Sequence, residues 1–71
     1  MKLTKRQYVF KHRLDELVQF FGFNTVREMT GLSGSTLGQY ASLDSPLLIP
    51  ESKLNYLEAE FKLKCMNQKN L

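Results

Sequence analysis

Val26–Leu37 reads V-R-E-M-T-G-L-S-G-S-T-L. Val26 and Met29 stand three apart, the spacing of neighbours on one face of a helix. Gly31 follows as a stop, because glycine accepts the left-handed backbone that ends helices. Leu32 then fills the angle between two helices, and the Ser33 hydroxyl can cap a new one. The stretch predicts a helix, a glycine turn and a second helix running to Ser42 or Leu43. Asn24 or Thr25 is the expected cap of the first, and Thr25-Val26-Arg27-Glu28 fits a capping box.

Outward from this unit, Thr4-Lys5-Arg6-Gln7 fits another capping box. Phe10, Leu14, Leu17, Val18 and Phe21 then line one helical face. A helix over 5–21, ended by Gly22, is expected. Tyr8 and Phe10 also alternate, which leaves an extended arm over 5–13 as the other option. Asp44-Ser45-Pro46 is turn chemistry. Leu47-Leu48-Ile49 is either core filler or a short extended segment. Pro50 suits a first helical turn and Glu51 complements its dipole. Leu54, Leu57 and Phe61 repeat at three and four, so a last helix is expected over 50–64. The fold class is all-α: one compact four-helix domain, 1–64, with a central helix-turn-helix and a flexible tail, 65–71.

A chain of 71 residues makes one small domain, which buries only about 60% of its unfolded surface. Such a domain is marginal alone, and a homodimer is expected, with Tyr56, Leu63 and the Leu47–Ile49 run as contacts. A hydrophobic share of 42% suits a folded chain and not a disordered one. No apolar run approaches the roughly 18 residues of a membrane span, and no signal-peptide pattern opens the chain. Cys65 is the one cysteine, so no internal disulfide can form and a cytoplasmic location is expected. Residues 1–13 carry Lys2, Lys5, Arg6, Lys11 and Arg13 with no acid, and 62–71 carry Lys62, Lys64 and Lys69 with none. All seven acids lie between them. A polyanion would be gripped from the two ends of the chain.

On a wheel at about 100° per residue, the helix after Ser33 puts Leu37, Tyr40 and Ala41 on one side. Gly34, Ser35, Gly38, Gln39 and Ser42 fall on the other. That outward face is small, polar and uncharged. Two glycines in a short helix cost about 1 kcal/mol each relative to alanine. Close approach to another surface would offset that cost, and the major groove, about 12 Å wide, admits such a helix. Ser33 and Ser35, with free amides at the helix start, suit a phosphate. Gln39 carries the donor and acceptor that match adenine N6 and N7. Tight packing of Gly34 and Gly38 on another helix is the structural alternative. No Lys or Arg lies within 32–43, so phosphate contacts must come from elsewhere. Arg27, the N-terminal cations led by Lys5 and Arg6, and Lys62 with Lys64 are the candidates.

V-x-E-M-T-G-L-S-x-S-T-L, at 26–37, resembles the helix-turn-helix of phage and bacterial regulators. Its T-G-L-S-x-S-T portion is similar to the AlpA and excisionase-like group. The helix ahead of the unit and the helix behind it look like small phage repressors of the Cro and CI type. The close match covers about twelve residues and the layout about fifty. The resemblance implies a compact helical domain that binds operator or attachment-site DNA, usually as a dimer. Carried over by position, it implies that Ser33, Ser35, Thr36 and Gln39 face DNA while Val26, Met29, Leu32 and Leu37 form the core. Arg27 stands four before the turn glycine, where many repressors have a small buried residue.

Enzyme chemistry has no foothold. His12 is the one histidine, expected as a solvated helix residue, and a lone histidine and cysteine make no metal site. Glu58 and Glu60 point apart on a helix. No nucleophile motif or glycine-rich phosphate loop is present. No cofactor is expected. The expected function is sequence-specific binding of double-stranded DNA by a transcriptional regulator of phage or mobile-element type. The rival is a protein-interaction module on the same scaffold, docking a polymerase subunit or another regulator.

Overall fold

The computed structural model describes residues 2–69. They form four helices in chain order: α1 (Lys5–Phe21), α2 (Phe23–Thr30), α3 (Gly34–Ala41) and α4 (Glu51–Lys69). The all-α class and the four-helix layout agree with the pattern of apolar residues. Residues 5–13 belong to α1 and are not an extended arm. Residues 47–49 form no strand. α4 continues to Lys69, beyond the expected end at 64, and so includes 65–69 of the segment expected as a tail. Residues 70 and 71 lie outside the described ones.

Thr4 starts α1 as a full capping box. Gln7 N donates to Thr4 Oγ1 (3.2 Å) and Thr4 N donates to Gln7 Oε1 (2.7 Å). The same Gln7 donates through Nε2 to the Pro46 carbonyl at 3.0 Å, which fastens the α3–α4 loop to α1. Gly22 ends α1 and begins α2 at once, with φ 95° and ψ 145°. The second capping box therefore does not form. Because α2 starts at Phe23, Thr25 already lies in its first turn, and no side chain caps that end. Gly31 closes α2 in the left-handed conformation, φ 72°.

The core draws on every element: Phe10, Leu14 and Leu17 from α1, Val26 from α2, Leu37 from α3, Ile49 from the loop, and Leu54 and Leu57 from α4. Met29, Leu32, Tyr40 and Phe61 pack around it, partly buried. The Phe20 ring meets the edges of Phe21 and Phe61 at centroid separations of 4.9 and 4.7 Å. α1 packs on all three other helices, whereas the α3 backbone lies close to α1 and α2 and not to α4, with Leu37 of α3 sharing the core with Leu54 and Leu57 of α4. Tyr56 and Leu63 are exposed on α4 and Leu47 is exposed in the loop, while Ile49 is buried in the core and so is no surface for a second copy. No helix among the described residues is long and apolar enough to cross a membrane.

A side chain at Gly22 would hold a backbone that L residues rarely adopt. Gly22→Ala is expected to destabilise the domain by about 1–3 kcal/mol, the usual cost of such strain. Urea unfolding measures it, and an unchanged midpoint would mean the α1–α2 corner relaxes freely.

Candidate nucleic-acid interface

α3 is eight residues long, GSTLGQYA. A helix that short does not hold itself in water, so its ends and its one buried side chain, Leu37, set its position. At the start, Ser33 Oγ accepts from Thr36 N (3.1 Å) and donates to Thr36 Oγ1 (2.9 Å). The amides of Gly34 and Ser35 meet no acceptor among the described residues. They are two of the donors every helix start leaves open, on the positive end of the dipole.

Arg27 lies across this start. A Cβ on Gly34 would sit 3.5 Å from Arg27 Nε and 3.8 Å from Arg27 Cζ. The Arg27 stem thus lies over Gly34 at a distance that a Cβ would meet in ordinary van der Waals contact, and Arg27 Nη1 also reaches Asn24 Oδ1 at 3.3 Å. An exposed cation beside two open amides is a favourable setting for an anion. It also explains a large, charged residue four before the turn glycine: Arg27 covers the α2–α3 corner from outside instead of entering the core.

The outward face follows the wheel. Ser33, Ser35 and Gln39 are exposed, and Gly34, Thr36, Gly38 and Ser42 are half-buried. A Cβ on Gly38 would meet nothing within 4 Å. Packing on a helix of this chain therefore does not account for that glycine. Ser42 Oγ accepts from Asp44 N at 3.0 Å, which turns the chain away after α3.

At the far end, Lys11 supplies donors to the last turn of α3. It is only 2% exposed, and burial lowers its pKa from the usual 10.5. Its ammonium donates to the carbonyls of Gln39 (3.2 Å), Tyr40 (3.0 Å) and Leu47 (2.7 Å). An ammonium has three donors and no acceptor, so each donor has a partner. Lys53 does the same for α2, donating to the Thr30 carbonyl at 2.8 Å. Both short helices thus end on a lysine sent from a long one.

Two of the N-terminal cations expected at phosphate are therefore internal. Lys11 is buried, and Arg13 pairs with Glu58 through Nε to Oε2 (2.8 Å) and Nη2 to Oε1. Arg13 and Arg6 each lie 5.5 Å from the Phe10 ring centroid. Arg6 is thus on the Phe10–Arg13 side of α1, while Lys5, one residue earlier, is turned by about 100°. Both are exposed, but they do not make one patch, and neither bonds to α3. Lys62 and Lys64 are exposed on α4, the helix whose backbone lies away from α3. Arg27 is the cation the fold brings to the candidate face.

A signal for Lys11 was present. Lys11, Leu14 and Val18 stand at i, i+3 and i+7, so the wheel puts the lysine on the core side of α1. Its carbonyl partners carry no mark in the sequence. His12 is exposed and pairs with Glu16 at 2.9 Å, as a surface helix residue does. No protein-family model, curated protein or solved structure matches the chain.

The Arg13–Glu58 pair makes stability depend on acid. Hydrogen bonding from Arg13 holds the Glu58 carboxyl below its ordinary 4.5. As pH falls, the unfolded chain takes up that proton first, so the pair's contribution is present above about 4.5 and is lost as pH drops through the lowered folded value. Urea midpoints between pH 6 and 3 should fall less steeply for Glu58→Gln than for the wild type. Parallel curves would show that the pair contributes nothing.

Proposed function

We propose that this chain is a sequence-specific double-stranded DNA-binding regulator, of phage or mobile-element type, that lays α3 in the major groove. One observation carries the reading: α3 presents a small, neutral, solvent-facing side whose Gly38 has no use inside the fold. Glycine at an interior helix position costs about 1 kcal/mol against alanine. Nothing among the described residues fills the space beside it, so a surface from outside is what its small size would serve.

The roles divide by chemistry. The open amides of Gly34 and Ser35, with Arg27 beside them, would hold one phosphate and set the register. Gln39, exposed on the outward face, would pair its amide with an adenine edge. Ser35, Gly38 and Ser42 would let the groove wall come close. Lys5 and Arg6 would add sequence-independent attraction from α1. Regulation would follow from occupying an operator.

A second reading has an observation of its own. With Lys11, Arg13 and Lys53 engaged internally, fewer cations face outward than the composition promises. A neutral face would equally dock a protein partner, such as a polymerase subunit or another regulator.

Two measurements separate the readings. Gly38→Ala should raise the unfolding free energy by up to about 1 kcal/mol while weakening binding to a duplex selected from a random library. A stabilised variant with unchanged duplex affinity would contradict groove insertion. For DNA, the binding constant should fall log-linearly with salt, with a slope of about −0.9 per phosphate neutralised. A flat response, with binding to a protein partner lost in Gly38→Ala, would favour the interaction module.

A further inference from the structure

We propose that Lys11 is the positioning residue of the α3 face: a buried cation that touches no phosphate yet sets the angle at which Gln39 would meet a base. The inference rests on the DNA reading and deepens it. α3 has a single fully buried side chain, Leu37. Tyr40 and Ala41 pack on the core only partly buried, so the apolar packing of α3 is tight at one point. The second point of attachment is the Lys11 ammonium. It holds the carbonyls of Gln39 and Tyr40, two and three residues beyond Leu37. Two points fix a direction.

The attachment is direct where it matters. Gln39 is the residue whose side chain would read the groove, and its own backbone carbonyl is bonded to Lys11 at 3.2 Å. The third bond, to Leu47 O at 2.7 Å, ties the loop after α3 to the same ammonium. Loop and helix therefore share one point of attachment. A lysine suits the task on electrostatic grounds as well, since the carbonyl end of a helix carries the negative half of its dipole. Carbonyls turned inward there must find a donor.

The test uses the whole chain and a duplex chosen from a random library. Lys11→Met keeps the length of the stem and removes the ammonium. With both proteins shown to be folded by circular dichroism, the variant should bind the chosen duplex about tenfold more weakly, the worth of one displaced base contact. The slope of log affinity against log salt should not change. Lys5→Ala, by contrast, should reduce that slope by about one phosphate contact. Equal affinity of Lys11→Met and wild type overturns the inference and leaves the DNA reading intact. So does a reduced slope in Lys11→Met, which would make Lys11 a phosphate contact. Failure of the wild type to select any duplex overturns the DNA reading itself.

If Lys11→Met does not fold, reductive methylation of wild-type lysines, read by mass spectrometry, decides. Lys11 should stay unmodified with and without duplex, while Lys5 reacts in the free chain. A Lys11 that reacts when free and is shielded by the duplex would overturn the proposal.

Discussion

The Lys11 ammonium and its three carbonyls are the constraint on which the candidate face depends. α3 is short, its backbone lies close to α1 and α2 and not to α4, and it buries one side chain completely. Without a donor at its carbonyl end, the last turn would leave part-buried acceptors to find other partners. Placing a charge there is itself unfavourable, and the lowered pKa of Lys11 records that burial. The balance is struck because every ammonium proton has an acceptor and the helix end is negative. Lys53 at Thr30 O repeats the solution for α2. The two short helices are thus held from behind by cations.

That arrangement changes what the basic N-terminus is for. By composition it suggests a polyanion clamp. In the fold it is partly a bracket: Lys11 secures α3, Arg13 secures α4 through Glu58, and Gln7 secures the loop at Pro46. Any affinity for phosphate then comes from few groups, with Arg27 at the α3 start the best placed. A neutral reading helix with modest electrostatic support would depend strongly on fit, which is consistent with an outward side built from glycine, serine and one amide.

The parts of the fold legible in the sequence are those made by neighbours. Thr4 with Gln7, Gly22, Gly31 and Ser33 with Thr36 act over one helical turn, so local residue types suffice to find them. The apolar stripe of α1 is read by period alone. The Thr25–Glu28 box fails for a reason local chemistry does not contain. Gly22 turns the chain so sharply that α2 begins before Thr25, and whether a glycine links two helices directly depends on how they pack. The internal partners of Lys11, Arg13 and Lys53 are not legible in the sequence because they lie 23 to 45 residues away. Four of those partners are backbone carbonyls, identical in every residue. The outward side of α3 was legible because a wheel needs only spacing; that Arg27 covers Gly34 was not.

The central claim is that the small side of α3 is a contact surface for a duplex. Amide hydrogen exchange, read residue by residue on the free chain and on the chain saturated with its selected duplex, addresses it most directly. Slowed exchange gathered at residues 33–42 and around Arg27, with the outer side of α4 unchanged, is the result this account requires. Slowing elsewhere while Ser35 to Gln39 exchange as before would contradict it.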